Sequence, residues 1–177
     1  MASEPYQLIS RNTLSGTASD ITFSSIPSTF EHLQIKATMR GDVSADGHAL
    51  RVQMGNSSVE TGSIYSMQYL WGSSNTFKYS TATASTTYFN FYDTILGANA
   101  TAGRFGFAVI TILDYLNTSK NTSFIAQIGN YGASDKRAGL YGGVMDFTSA
   151  IDIIKMYPQT GDFVANTDVA LYGIKSS

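Results

Sequence analysis

Apolar and polar residues alternate along most of this chain with a period of two, the period of a half-buried β-strand. The segment from Leu33 to Met39 is the clearest case, and comparable short segments follow one another between Gly-, Asn-, Asp- and Ser-containing turns. This pattern predicts an all-β protein, a two-sheet antiparallel sandwich that is jelly-roll-like and has about nine to eleven short strands. The predicted strands are 21–23, 33–39, 50–54, 64–71, 76–80, 86–92, 104–115, 123–129, 138–148, 150–157 and 168–175.

Two of these segments carry a further prediction about pairing. The strand that ends at Met39 is followed by Asp46-Gly47, a dipeptide typical of tight hairpin turns, and then by the alternating segment Leu50–Met54. We therefore expect the two segments to form an antiparallel hairpin.

The segment from Arg104 to Tyr115 is apolar at both odd and even positions. A strand that is covered on both faces has this composition, and a short helix is the alternative. The β-branched and aromatic residues and Gly106 favour the strand, so the segment is predicted to be a central strand with Phe105 and Phe107 in the core. Phe89 and Phe91 alternate in an earlier segment and are also predicted to be core residues.

Length and charge bound the class of protein. The 177 residues suffice for one domain with a sizeable core, so we expect a single β-sandwich domain over residues 1–177, with residues 1–8 as an extended N-terminal arm. Charged residues make up 14% of the chain against about 25% in an average soluble domain, which suits a surface made for contact with other subunits. The alternative is a β-rich chain that simply carries Thr and Ser on its outward faces.

Several classes of partner and site are disfavoured. The net charge is −2 and the 11 Lys and Arg residues are scattered, so no basic stripe suggests nucleic acid. No apolar run of about 20 residues suggests a membrane span. Met1 to Tyr6 lacks the pattern of a signal peptide, and there is no cysteine, so we expect synthesis in a cytosol and no disulfide or thiolate site.

No pattern of catalytic residues is present, and we expect the protein not to be an enzyme and to need no cofactor. The two histidines, His32 and His48, are not accompanied by a Gly-x-Ser-x-Gly nucleophile motif. Asp42, Asp46 and His48 lie close together in sequence and could hold a Ca²⁺ ion, but Asp and Gly at these positions are also what a turn requires. The turn is the favoured interpretation, so no metal site is assigned.

Aromatic residues around the polar stretch from Gly72 to Ser85 form the candidate interaction surface. Tyr and Trp exposed beside Ser and Asn can anchor a protein interface or stack on sugar rings, and the alternative is that they pack at the edge of the sandwich. The five residues are Tyr65, Tyr69, Trp71, Phe77 and Tyr79.

Both ends of the chain resemble a known family. The matching stretches are Tyr6 to Ser10, Asp20 to Phe30 with the following 33–36, Thr160 to Phe163, and Leu171 to Lys175. They resemble a family of small jelly-roll virion proteins of tailed phages, especially phages of cyanobacteria and other aquatic bacteria. The resemblance implies a capsid cement or decoration subunit, commonly trimeric, and gives no active site.

Two functional hypotheses follow from the resemblance. In the first, the protein is a homotrimeric subunit on the capsid exterior that stabilises the lattice through contacts with itself and with the major capsid protein, and its N-terminal arm contributes to these contacts. In the second, it is a tail-fibre or receptor-binding module that recognises a host surface glycan through aromatic residues such as Trp71 and Tyr79.

Overall fold

The computed structural model of the protein describes residues 5–74, 76–79, 83–134 and 136–175. Within these ranges it is an all-β protein with two antiparallel sheets packed as a sandwich, as predicted. The strands, in chain order, are β1 (Tyr6–Thr13), β2 (Ile21–Phe23), β3 (His32–Met39), β4 (Gly47–Asn56), β5 (Ser58–Val59), β6 (Tyr65–Ser73), β7 (Thr76–Tyr79), β8 (Thr83–Thr86), β9 (Phe89–Leu96), β10 (Gly106–Leu113), β11 (Thr122–Tyr131), β12 (Lys136–Met145), β13 (Ile153–Pro158) and β14 (Asp168–Ile174).

Eight of these strands have jelly-roll topology. The neighbours β1-β14-β3-β10 lie in the larger sheet and β2-β13-β4-β9 in the smaller one, which is the strand order of an eight-stranded jelly roll. The remaining strands are insertions. β5–β8 lie between β4 and β9 in the chain and β11–β12 between β10 and β13, and six of the fourteen described strands therefore elaborate the basic fold.

The insertions enlarge one sheet more than the other. β11, β12, β6 and β7 continue the larger sheet beyond β10, and β8 pairs with the first part of β6, while β5 adds a short pairing to β4 in the smaller sheet. Only the larger sheet is broad, so its outer surface is the widest feature of the fold.

The core lies between the two sheets and is formed by one side of each strand. In β3, Leu33 and Ile35 are fully buried. Lys36, which follows Ile35, is exposed on the opposite face, as the alternation predicts. Leu50 and Met54 of β4 and Phe89 of β9 meet them from the smaller sheet and are also buried. Burial of this apolar surface is the main force that holds the sheets together.

The predicted hairpin of β3 and β4 is wrong. β3 lies in the larger sheet between β14 and β10, and β4 lies in the smaller sheet between β13 and β9. The connection crosses from one sheet to the other, with Gly41 forming an isolated bridge to Phe163. Alternation alone cannot distinguish the two arrangements, because each strand presents its apolar side to the same core from opposite directions.

β10 is a central strand, as predicted, but it is covered on only one face. Ala108 and Ile110 are buried in the core, whereas Phe107 on the other face is 47% exposed. Phe89 and Phe91 are core residues as predicted, whereas Phe107 is not, and Phe105, which precedes β10, is only half-buried.

The start of the chain differs from the expected arm. Tyr6 to Leu8 belong to β1, which pairs with β14 at the edge of the larger sheet. Residues 1–4 lie outside the described residues. No helix within the described ranges has the length and hydropathy needed to cross a membrane.

Candidate functional site

The outer side of the larger sheet carries a group of half-exposed apolar side chains that no other residue of the described ranges covers. Leu70 of β6 and Leu140 of β12 are directly opposite one another, and Gln127 of β11 is opposite Leu140. Ile125 of β11 and Phe107 of β10 lie on the same side of the neighbouring strands. We call these four apolar residues, Leu70, Phe107, Ile125 and Leu140, the outer apolar face; they are 44%, 47%, 54% and 52% exposed.

Small residues separate the large ones on this face. Gly72, Ala138 and Gly142 leave two adjoining shallow depressions, which share Leu70 and Leu140 as their common wall. A Cβ atom added to Gly72 would meet no other atom within 4 Å. Glycine weakens the interior of a strand and often marks a place where another backbone or a ligand approaches closely. The outer apolar face is therefore a surface of projections and hollows.

Charged groups lie at the margins of the outer apolar face, with Lys136 at the start of β12 and Lys36 on β3. Lys36 of β3 lies beyond β10, with its Nζ 5.0 Å from the ring centre of Tyr6 and 5.2 Å from that of Tyr172. Further out, the Arg11 guanidinium pairs with Asp168 at 2.8 Å, which holds the pKa of that carboxyl below its usual value. A partner on the face would therefore not have to desolvate a charge at its centre.

A polar pocket lies at one end of the sandwich and is the second candidate site. Its walls come from the start of β4, the middle of β9, the end of β11 and the start of β12, and enclose about 230 Å³. We call it the end pocket; it is lined by Asp46, Gly47, Asp93, Asn130, Ser134 and Arg137.

A β-bulge brings Asp93 to the end pocket. The pairing of β4 with β9 shifts register between His48 and Leu50, and Asp93 in the bulged segment has a φ of 49°. This left-handed conformation is uncommon outside glycine and is best tolerated by Asp and Asn. The bulge directs the Asp93 carboxylate at the Arg137 guanidinium, with which it forms an ion pair.

Arg137 and Asn130 complete the polar wall. The Arg137 guanidinium lies 4.5 Å from the ring centre of Trp71, and burial lowers the pKa of this arginine. The Asn130 amide donates a hydrogen bond to the backbone oxygen of Asp93, whereas its Oδ1 is buried and has no partner. The end pocket therefore contains both a fixed cation and a free acceptor.

The candidate interaction residues from the sequence are in different environments. Tyr65 is fully buried, and its hydroxyl donates to the backbone oxygen of Glu60 at 2.8 Å; burial raises the pKa of this phenol to about 12. Tyr69 is half-buried and stacks on Tyr141, with ring centres 5.0 Å apart. Tyr65 is thus a core residue, and Tyr69 contributes to packing.

Trp71 is half-buried at the rim of the sandwich, beside the end pocket. The backbone of Phe77 and Tyr79 belongs to β7 and pairs with Gly72 and Leu70, next to the outer apolar face, and their side chains lie outside the described residues.

Asp42, Asp46 and His48, the alternative metal ligands, do not converge. Asp42 accepts a hydrogen bond from the backbone N–H of Asp162 at 2.9 Å, and Asp46 binds backbone groups of Ala133 and Ser134. His48 is buried, and neither of its ring nitrogens has a partner.

Elsewhere in the described part of the chain, one set of three potential ligands occurs, on the surface, and consists of Glu31, His32 and Asp114. His32 Nδ1 accepts a hydrogen bond from the backbone N–H of Asp114 at 2.9 Å, and Lys120 pairs with the Asp114 carboxylate. His32 and Asp114 are therefore already engaged in contacts within the chain.

Sequence reasoning missed both candidate sites. The signal for the outer apolar face was present in the β10 segment, where both odd and even positions are apolar. This pattern was interpreted as a strand that other parts of the same chain cover on both faces. The end pocket left no local signal, because its residues come from four separate strands and the loops beside them.

Comparisons with known proteins give no family. No family model matches the chain, and no curated protein matches it. Among solved structures, the chain is similar to the CBM2 module of the evolved Dit protein of Lactobacillus casei BL23 phage J-1. The TM-score is 0.31 and the sequence identity 10%, over 89% of this chain and 70% of that one.

Proposed function

We propose that this protein is a structural subunit of a tailed-phage particle, and specifically a capsid cement or decoration protein. The resemblance at both ends of the chain motivates the proposal. The residues that carry it are structural: Ile21, Phe23 and Leu171 are buried in the core of the jelly roll. They account for a shared fold and require no catalytic step.

The outer apolar face is the observation that carries the proposal. Four large apolar side chains, each about half exposed, occupy neighbouring strands with no charge between them. Contiguous apolar surface on a folded protein marks an interaction site more often than chance exposure does. The face is part of the sheet itself, so its shape is fixed before any partner binds, and little entropy is lost on binding.

We propose a second copy of the chain as the occupant of this face. The projections formed by Leu70 and Leu140 and the hollows at Gly72 and Gly142 occur on the same surface, so two copies can fill each other's hollows. The surrounding Lys36 and the Arg11–Asp168 pair lie to one side, where they can remain hydrated.

The expected strength of this contact suits a subunit of a large assembly. Complete burial of a Leu, Ile or Phe side chain is worth about 1.5–3 kcal/mol, so covering half of each contributes about 1 kcal/mol. Two copies would gain about 8 kcal/mol, against an association cost of about 4–15 kcal/mol. The contact is therefore weak in isolation and effective where several act together, as on a capsid.

We further propose that the protein lies on the capsid exterior as a homotrimer in contact with the major capsid protein, and that the two-fold contact through the outer apolar face joins copies of neighbouring trimers. The test is quantitative mass spectrometry of purified particles together with heating of particles that lack the protein. We expect hundreds of copies per particle and loss of the genome at a lower temperature when the protein is missing. Absence from purified particles, or unchanged heat resistance, would reject the capsid function.

The second candidate, a tail-fibre or receptor-binding module, has one observation in its favour. The end pocket is polar, partly enclosed and bordered by Trp71. This function predicts few copies per particle and binding of the purified protein to host cells. A high copy number without binding to cells would count against it.

A further inference from the structure

We propose that the end pocket binds one pyranose unit of a saccharide. This inference goes beyond particle assembly and does not depend on it, because none of the residues that line the end pocket belongs to the outer apolar face. The pocket is formed by strands of both sheets and by the loop residues Asp46 and Ser134 beside them, so it exists before any ligand arrives.

The size and chemistry of the end pocket suit a single sugar ring. Its volume is about 230 Å³, and carboxylate, carboxamide, hydroxyl and guanidinium groups all line it. Pyranoses offer hydroxyl groups that both donate and accept hydrogen bonds, and planar polar side chains can engage two neighbouring hydroxyls at once. The pocket has two such groups side by side, because Asn130 of β11 and Arg137 of β12 are direct cross-strand partners.

Asn130 is the group most in need of a ligand. Its amide nitrogen is held by the backbone oxygen of Asp93, which fixes the orientation of the carboxamide. The Oδ1 atom is buried without a donor. An unpaired buried acceptor costs about 1–3 kcal/mol, and a ligand hydroxyl that reached this atom and donated to it would recover the loss.

Arg137 is preorganised by its neighbours. Its guanidinium lies over the Trp71 ring and pairs with Asp93, whose carboxylate is directed by the bulge in β9. A guanidinium held in this way presents its N–H groups in a fixed plane, so binding does not require a flexible side chain to be ordered.

The charges in the end pocket favour a neutral ligand over an ion. The Asp46 carboxylate already accepts hydrogen bonds from the backbone of Ala133 and Ser134 and from the Ser134 hydroxyl, and Asp93 is paired with Arg137. A cation would have to compete with these contacts. A polyhydroxyl ligand can add to them, since carboxylate oxygens accept more than one hydrogen bond.

The experiment is titration of the ¹⁵N-labelled full chain with a panel of monosaccharides, followed by oligosaccharides released from the host cell surface. We expect at least one sugar to shift the Gly47 amide signal and the Asn130 side-chain NH₂ signal at millimolar concentration. If no sugar shifts either signal, the proposal is wrong.

Gly47→Ala provides a steric test that leaves the fold intact. An added Cβ would lie 3.4 Å from the Ile95 oxygen, 3.6 Å from Asn130 Nδ2 and 3.7 Å from Asp93 Cβ, which are ordinary contact distances. The methyl group narrows the pocket, and we expect affinity for the sugar to fall by about tenfold or more. Gly16→Ala is the matched control, since its Cβ would meet nothing within 4 Å.

Two further outcomes would overturn the proposal. If Gly47→Ala and the wild type bind the sugar with equal affinity, and thermal denaturation shows that both proteins are folded, the sugar binds elsewhere. Shifts of the same two signals by Ca²⁺ alone, reversed by a chelator and with no sugar able to produce them, would make the end pocket a cation site.

Discussion

The carboxylate of Asp46 accepts a hydrogen bond from the backbone N–H of Ser134 at 2.9 Å, although the two residues are 88 positions apart in the chain. The Ser134 hydroxyl donates to the same carboxylate at 2.8 Å, and the Ala133 N–H donates at 2.7 Å. One side chain in the connection between β3 and β4 thus holds the loop between β11 and β12, an insertion to the jelly roll. This contact fixes two walls of the end pocket relative to each other.

Asp46→Ala is therefore expected to destabilise the protein by about 1–3 kcal/mol, because three hydrogen bonds to one charged acceptor are lost. Urea denaturation measures the difference in the free energy of unfolding. Ser134→Ala removes only the hydroxyl contact and should cost less, about 0.5–1.5 kcal/mol. An Asp46→Ala protein as stable as the wild type would show that the loop does not depend on this anchor.

Tyr65→Phe is expected to destabilise the protein by about 1–3 kcal/mol. The Tyr65 hydroxyl, on a strand of the larger sheet, accepts a hydrogen bond at 3.2 Å from the Met54 N–H on a strand of the smaller sheet and donates to the Glu60 oxygen at 2.8 Å. Its loss leaves buried backbone groups without a partner. Tyr172→Phe, at a half-buried tyrosine stacked on Tyr6, is the control and should change the free energy of unfolding by less than about 0.5 kcal/mol.

His48 is expected to make the protein less stable in mild acid. Burial lowers the pKa of this imidazole below its ordinary value of 6.5, and the nearby Asp42 charge opposes the shift only in part. The unfolded chain therefore binds the proton more readily than the folded protein does. The free energy of unfolding keeps the full contribution of neutral His48 above pH 6.5 and decreases as the pH drops below that value. The loss cannot exceed about 1.4 kcal/mol per pH unit.

The measurement is the free energy of unfolding by urea at pH 7.5 and pH 5.5, a range chosen to lie above most carboxyl titrations. His48→Leu should flatten the dependence on pH, while His32→Gln, at the surface, should retain it. An unchanged slope in His48→Leu would assign the acid sensitivity to other groups.

Leu140→Glu is expected to disrupt self-association by placing a charge in the outer apolar face. Analytical ultracentrifugation over a range of concentrations should show the dissociation constant rising by about tenfold or more. Leu8→Glu is the matched control, because Leu8 is 50% exposed against 52% for Leu140 but lies on β1, three strands from β10. A wild-type protein that stays monomeric at high concentration would refute the proposed contact between copies.

The fold class followed from the sequence because the side-chain period of a strand is visible in single segments such as Leu33–Met39. The assignment of strands to sheets was not visible there, as the separation of β3 from β4 shows. Which strands pair depends on contacts between distant segments, and local turn chemistry at Asp46-Gly47 is compatible with either arrangement.

The candidate sites differ in how far the sequence could have revealed them. Tyr65, Tyr69 and Trp71 share one parity of β6 with Met67, so their inward orientation was readable from the alternation. Asn130 and Arg137 lie in segments without distinctive composition. Their pairing across β11 and β12 becomes apparent only from the register of those strands.

The position of β14 between β1 and β3 has a consequence for biosynthesis. Until Asp168–Ile174 has left the ribosome, β1 and β3 both lack β14 as their pairing partner. Two strand edges therefore remain open while the rest of the chain is translated. Pairings of such long sequence separation form slowly and expose a nascent chain to aggregation. Folding to completion is thus expected only after this segment emerges, and chains truncated before it should accumulate in inclusion bodies.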